Sequence, residues 1–273
     1  MSVHAGWWVD GPSTPDRSGA PRRRTRNWVS FRVAGEGRLR HPPGVSTPGL
    51  LSGIGVVCAL EGELGGLRHR IRARQRMQGL DLLELDTHPR VLACIAGIGK
   101  VRAAHAASVL LGAGAQRALL VVGTCGSLSR TLAVGHLVHC TTALQVDLAV
   151  RADREFVSDS ALRRAWFAVA GGTEAAILTA DRPVLSPWRR LRHARLRPGP
   201  CVADMETAAV AAVAHAAGVP WAALRAVTDG AGLFSAREFR RHYPTCAGLA
   251  ADTVERFVAS DAFPCVAPRG DAR

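Results

Sequence analysis

Residues 90–122, RVLACIAGIGKVRAAHAASVLLGAGAQRALLVV, decide the fold. The apolar run at 90–96 reads as a buried strand. Gly97-Ile98-Gly99-Lys100 then turns the chain into an Ala-rich helix that ends near Gly112 to Gly114, where glycine tolerates the left-handed backbone that stops a helix. From Arg117 to Val122 an apolar strand resumes. Strands this uniformly apolar leave no face for water, so helices must cover both sides of the sheet they form.

The same alternation extends in both directions. Ile54 to Leu60 and residues 81–86 read as further strands. Later, an Ala-rich helix from Met205 to Ala217 stops at Gly218-Val219-Pro220, the strand Trp221 to Thr228 follows, and an amphipathic helix from Ala236 to Ala259 closes the pattern. The prediction is a single α/β domain over residues 53–260, with a central mixed β-sheet flanked by helices. In such sheets ligands collect at the carboxyl ends of strands. Residues 1–52 mix Pro, Gly, Ser and Arg without sustained periodicity and are expected to be a disordered extension, or the product of a start codon placed too far upstream; 261–273 is expected to be a flexible tail.

A chain of 273 residues, 48% of them hydrophobic, can bury one substantial core. Its seven cysteines are odd in number, scattered and never spaced as CxxC, which argues against a disulfide framework and a zinc site and favours a reducing cytoplasm. No apolar stretch approaches the roughly 20 residues needed to span a bilayer. The net charge is +13, yet Lys100 is the only lysine, a bias that resembles codon composition. Arg189, Arg190, Arg192 and Arg195 cluster without a nucleic-acid-binding motif, so that stretch reads as a solvated or lipid-adjacent face, and no nucleic-acid partner is expected.

Four segments place polar groups directly after predicted strands. Glu61-Gly62-Glu63 sets two carboxylates where a helix begins, which suits either a helix dipole or a site. Gly123-Thr124-Cys125-Gly126-Ser127 offers small residues, amides and a hydroxyl to a ligand, or forms a tight turn; it matches neither GxGxxG nor GxxxxGK[ST]. In Ala203-Asp204-Met205-Glu206-Thr207, Asp204 can cap a helix, while Met205 and Glu206 would suit the face and hydroxyls of a sugar. Arg225 sits inside an apolar strand that ends in Thr228-Asp229-Gly230 and needs a carboxylate partner, with Glu63 and Glu206 the expected ones.

Taken together and in this order, GIGVVCALEGEL, AGIGKVRAAHAASVLL, VVGTCGSLSRTLAVGHLV, VADMETAAVAAVAHAAGVP and LRAVTDGAG resemble the nucleoside phosphorylase superfamily. The resemblance is to its 5′-methylthioadenosine/S-adenosylhomocysteine nucleosidases and, with Pro183 where an aromatic commonly stacks on adenine, to its hopanoid-associated members. It runs from about Gly53 to Ala259 and implies a homodimer or higher homo-oligomer, a small nucleoside as substrate, and neither metal nor organic cofactor. It further implies that Asp229 is the acid toward the purine's imidazole nitrogen. Met205 and Glu206 would hold the ribose, and Glu63, Arg225 and Thr124 would position water. Cys125, Gly126, Val184 and Thr228 would complete the substrate site. Related phosphorylases carry arginines around the first strand and the small-residue turn; here Glu61-Gly62-Glu63 and Val121 stand there, so the expected reaction is hydrolysis releasing adenine. The alternatives are cleavage of adenosylhopane, with peripheral contact to anionic lipid, and a noncatalytic nucleoside-binding protein.

Overall fold

The computed structural model describes residues 4–10, 26–32, 53–149, 154–260 and 262–264, in two compact units that divide after Pro48. In the first unit β1 (His4–Asp10) and β2 (Arg26–Arg32) pair antiparallel, with Trp8 opposite Trp28. This departs from the expectation of an irregular extension: the three tryptophans and the one phenylalanine of the region all fall in these two segments, and such residues favour strands. The remainder of 1–52 lies outside the described residues, as does most of the expected tail.

The second unit begins with β3 (Ile54–Cys58), followed by a 3-10 helix over Glu61–Arg70. A hairpin of β4 (Ile71–Met77) and β5 (Leu80–Leu85) turns through Gln78 and Gly79, both at positive φ, which matches the right-handed twist of paired strands. Next come β6 (Val91–Ile95), α1 (Lys100–Gly112), β7 (Ala118–Ser127), β8 (Leu137–Gln145) and β9 (Glu155–Val157). The chain continues through α2 (Ser160–Ala170), β10 (Thr173–Thr179), α3 (Pro187–Ala194), β11 (Cys201–Asp204), α4 (Thr207–Ala216), β12 (Trp221–Asp229) and α5 (Ser235–Ala259).

The strands form one mixed sheet in the order β11-β10-β8-β12-β7-β3-β6-β5-β4, with β9 on β8. β3 is parallel to both β6 and β7, and β7 to β12, as the strand-helix-strand reading requires. An additional antiparallel pairing joins Val202 and Ala203 of β11 to Ser127 and Gly126 of β7. It closes β7, β12, β8, β10 and β11 into a ring, a small barrel at one end of the sheet that the sequence pattern did not disclose.

Alternation along the central strands sends side chains to two cores. Leu119 and Val121 of β7, with Trp221 and Ala223 of β12, join the layer containing α1 and α4; Leu120, Val122, Ala222 and Leu224 join the layer containing α2 and α5. Arg225, two residues beyond Ala223, therefore points toward the α4 side. On the opposite face Trp166 of α2 stacks on Phe257 of α5, with ring centroids 5.3 Å apart. Among the described residues no helix is long and apolar enough to cross a membrane.

Because Trp166 is fully buried in that stack, Trp166→Ala should cost about 3–5 kcal/mol through lost burial and the cavity left behind. Urea unfolding should report this as a lower midpoint at unchanged slope.

Candidate active site

At the carboxyl ends of β3, β7, β10, β11 and β12 the chain surrounds a cavity of about 450 Å³, a size suited to a small organic ligand. Glu63, Thr124, Cys125, Gly126, Val184, Met205, Glu206, Thr228 and Asp229 all line it. Sequence reasoning placed each of them in a site, and the fold brings them together.

Glu63 is buried and held on both oxygens. Oε2 accepts the backbone N–H groups of Ala59 at 2.9 Å and Leu60 at 3.0 Å; Oε1 accepts the Thr124 N–H at 3.0 Å and its hydroxyl at 3.1 Å. The bond to Leu60 N also caps the 3-10 helix, so the structural and functional readings of this carboxylate hold at once. Gly123 makes the approach feasible: a Cβ there would lie 2.6 Å from Glu63 Oε1 and 2.4 Å from Arg225 Nη1. No side chain fits between those two groups.

Arg225 does not line the cavity. Its guanidinium is buried behind the wall, with Nη2 at 2.6 Å from Asp204 Oδ2 and a longer approach of 3.6 Å to Glu206 Oε2. The expected partners were Glu63 and Glu206; the first partner is Asp204, because the strand register aims Arg225 at the start of α4. Nε and Nη2 also donate to the Thr207 hydroxyl, at 3.2 and 3.0 Å. Burial works against this positive charge, but Asp204, Glu206 and Glu63 outweigh it and raise the pKa of Arg225.

Asp204 gathers four donor contacts in all. Oδ1 accepts the Thr179 hydroxyl at 2.6 Å; Oδ2 accepts the Thr207 N–H at 2.9 Å, the Thr207 hydroxyl and Arg225. The helix starts at Thr207 rather than Met205, and Asp204 still satisfies one of its first free N–H groups. This leaves Met205 and Glu206 in the turn between β11 and α4, facing the cavity. Glu206 Oε1 accepts the Gly99 N–H at 3.0 Å. Burial first, then repulsion from Asp204 and Glu63, pushes the Glu206 carboxyl up to about 7 against the attraction of Arg225.

At the end of β12, Asp229 Oδ1 accepts the Ala231 N–H at 2.9 Å, and Oδ2 lies 2.8 Å from the Thr228 hydroxyl. Both carboxylate oxygens are thereby oriented. Cys125 is a buried thiol whose pKa burial raises well above its usual value, so it acts as a packed apolar group and not as a nucleophile.

The lining also includes residues that sequence reasoning did not place in the site. Ile98 comes from the glycine turn before α1, Phe239 and the exposed Arg240 from the first turns of α5, Arg182 from the loop after β10, and Leu60 from the turn after β3. The glycine turn is itself clamped. Lys100 Nζ lies 2.5 Å from Asp147 Oδ1 and 3.5 Å from Asp181 Oδ2; the Lys100 N–H donates to Asp181 Oδ1 at 3.0 Å, and the Asp181 N–H to Asp147 Oδ2 at 2.9 Å. Burial disfavours the Asp147 charge, yet Lys100 and the Asp181 N–H together hold its pKa below the ordinary value. The lone lysine thus fastens the turn carrying Ile98 and Gly99 to the loop carrying Val184.

Glu63, Met205, Glu206 and Asp229, gathered on one cavity with a largely apolar lining, come from the segments from which the family resemblance was read. The profile of the phosphorylase superfamily matches residues 53–259. The chain belongs to the phosphorylase superfamily. A 5′-methylthioadenosine/S-adenosylhomocysteine nucleosidase of Mycobacterium bovis is 26% identical, over 75% of this chain and 96% of its own length. The crystal structure of the enzyme of that name from Neisseria meningitidis, in complex with methylthio-immucillin-A, aligns with a TM-score of 0.72 at 26% identity, covering 77% of this chain and 99% of its own. The futalosine hydrolase of Helicobacter pylori shares the fold, with a TM-score of 0.72 at 20% identity over 76% of this chain and 97% of its own. Membership in the superfamily accounts for the mixed sheet and for a cavity at its carboxyl edge.

Asp204→Asn would leave Arg225 charged and buried without its nearest counter-ion, with Glu206 at 3.6 Å as the next, and should destabilise the protein by about 3 kcal/mol in urea unfolding. For Glu206 the sign runs the other way. Its folded pKa lies above the ordinary 4.5, so its contribution to stability is full below pH 4.5 and is lost as pH rises toward 7. Relative to Glu206→Gln, the wild type should therefore lose on the order of 2–3 kcal/mol between pH 4.5 and 7.5, read as a widening gap in thermal midpoint.

Proposed function

We propose that this protein is a purine nucleosidase that hydrolyses the N-glycosidic bond of an adenosine-type nucleoside and releases adenine. The observation that carries the reading is the charge arrangement of the cavity. The buried part of the lining carries the carboxylates of Glu63 and Glu206, while the buried guanidinium of Arg225 lies behind the wall, paired with Asp204, and the two arginines in the lining, Arg182 and Arg240, are solvent-exposed. Such a floor repels a phosphate dianion and favours a cationic sugar.

In this reading water enters beside Glu63 and Thr124. As the bond between C1′ and the purine nitrogen lengthens, its electron pair moves to the base and C1′ takes on oxocarbenium character. Asp229 shares a proton with the imidazole nitrogen of the departing purine, making it a better leaving group. Water oxygen bonds to C1′ and gives its proton to Glu63. Glu206 accepts from ribose hydroxyls, Met205 packs on the sugar, and Val184, Gly126 and Cys125 bound the base. Arg225 serves as a positioning residue, fixing Asp204 and Glu206 without touching substrate.

The relatives named as 5′-methylthioadenosine/S-adenosylhomocysteine nucleosidases support that substrate class. The outer wall favours an apolar 5′ group, since Ile98, Leu185 and Phe239 frame it, and Pro183 stands where a flat ring would stack on the base. An adenosine bearing a very large apolar 5′ substituent, such as adenosylhopane, is the second reading on that account. A cytoplasmic homo-oligomer serving purine nucleoside catabolism, through methionine salvage or hopanoid biosynthesis, belongs to the same proposal.

Adenine release without phosphate, with ¹⁸O from labelled water recovered in the sugar product, is the expected result; strict dependence on phosphate would replace hydrolysis by phosphorolysis. Asp229→Asn should retain nucleoside binding by calorimetry while losing at least about a hundredfold in kcat. Binding without turnover in the wild type, for every 5′ group tried, would leave the binding-protein reading.

A further inference from the structure

The 22 residues from Arg182 to Ala203 contain six arginines and no acidic residue. They run along the mouth of the cavity, with Arg182, Pro183, Val184 and Leu185 in its lining and α3 immediately after. Helix α3 has no buried residue. Trp188 is 82% exposed, and Leu191, three positions on, shares its face. Arg192 and Arg195, four and seven positions beyond Trp188, flank that face. On another edge of the same cavity, next to the lining residues Ser235 and Ala236, Leu233 and Phe234 are each 71% exposed.

A water-soluble surface gains nothing from holding a tryptophan, a phenylalanine and leucines in solvent around one opening, and the arrangement marks a partner surface. The charges select among partners. Arg197 is paired with Glu155 at 2.6 Å, and a second copy of this chain docking by the same face would set the other five arginines against five, with no carboxylate on the segment between them. Anionic phospholipid headgroups complement these arginines, and tryptophan and long guanidinium side chains are suited to the headgroup region of a bilayer. We propose that the rim formed by α3 and by Leu233 and Phe234 is a peripheral membrane-docking surface that seats the mouth of the cavity on an anionic bilayer. The arginines would take the headgroups while Trp188, Leu233 and Phe234 enter the interface. The docking is independent of the reaction assigned to the cavity and can be read without turnover.

The test uses the full chain and vesicles of phosphatidylglycerol with phosphatidylcholine, against phosphatidylcholine alone, in co-sedimentation at physiological salt. Binding to the anionic vesicles at least tenfold stronger is expected. The combined change Arg189→Gln, Arg190→Gln and Arg192→Gln should weaken it by about a hundredfold, since each such charge near an anionic surface contributes roughly a fivefold factor. Brominated lipid should quench tryptophan emission in the wild type, and this quenching should fall in Trp188→Phe. Trp188→Ser with Leu233→Ser and Phe234→Ser should abolish pelleting while release of adenine from a water-soluble nucleoside is unchanged.

Because the net charge is +13, the arginine variant is the decisive control. If it binds as the wild type does, the attraction is a property of the whole chain and the proposal fails. It fails equally if neither vesicle pellets the protein. If the serine variant instead converts an oligomer to a monomer by sedimentation velocity without altering vesicle binding, the surface belongs to a second copy.

Discussion

The buried contact between Arg225 and Asp204 is the constraint on which the site depends. A guanidinium in the middle of an apolar strand costs several kcal/mol to remove from water, and a carboxylate facing it offsets that cost only where the remaining donors and acceptors are also satisfied. Here they are. Asp204 takes Thr179 and Thr207 in addition to the arginine, and Arg225 spends two donors on the Thr207 hydroxyl. One network ties the ends of β10 and β11 and the middle of β12 to the first residue of α4. What it fixes is the turn between Asp204 and Thr207, and so the direction in which Met205 and Glu206 leave the backbone. Exchanging the pair for apolar residues of similar size could preserve stability, but that turn would lose its orientation. The pair is better understood as setting geometry than as adding stability.

Much of this was legible in the sequence because burial on both faces leaves a simple trace. The runs at 54–60, 91–96 and 118–122 read as strands since nothing polar interrupts them, and 221–228 does so with Arg225 as its one charge; the polar residues after these runs include much of the cavity wall. Where interaction is nonlocal the trace disappears. The barrel closes through two residue pairs between β11 and β7, and neither segment announces the other. β4 is exposed along most of its length and rich in arginine, so it shows no apolar alternation; the turn at Gln78-Gly79 and pairing with β5 make it a strand. Asp204 was read as a helix cap, and that role persists, but one carboxylate serving a helix terminus and a buried arginine together requires knowing where β12 lies. Phe239 and Ile98 carry no polar signal, and only the packing of α5 and the turn before α1 against the sheet brings them to the site.

Lys100 illustrates how composition can conceal a local choice. Thirty-four of the thirty-five basic residues are arginine, so the bias hides which positions tolerate either side chain. The exception stands where a compact ammonium fits between two aspartates. Its charge lies at 2.5 and 3.5 Å from their oxygens, while the backbone N–H of the same residue binds one of them. A guanidinium is broader and presents its donors in a fixed plane, which suits a bidentate partner better than a small gap between loops. The clamp matters to the site because Gly99, the residue before it, donates its N–H to Glu206. The carboxylate that would meet the sugar is thus steadied from two sides, by Arg225 behind and by the clamped turn in front.

The electrostatics of that carboxylate pair bear on which nucleophile the cavity can admit. At about 5 Å and an effective dielectric of about 20, a phosphate dianion would meet roughly 6 kcal/mol of repulsion from a single ionised carboxylate such as Glu63. A phosphorylase offsets such a term with cationic donors at the phosphate; here the buried guanidinium, Arg225, is committed to Asp204, and the two arginines of the lining, Arg182 and Arg240, are solvent-exposed. Water carries no such penalty and brings a proton that a carboxylate can accept. The same field that excludes the anion lowers the energy of a developing positive charge at C1′ by about half that amount, since the sugar bears one charge and not two. A cavity of this composition therefore discriminates twice in the same direction, against the anionic nucleophile and for the cationic transition state. Both effects follow from placing Glu63 on four donors within the protein while leaving the arginine behind the wall.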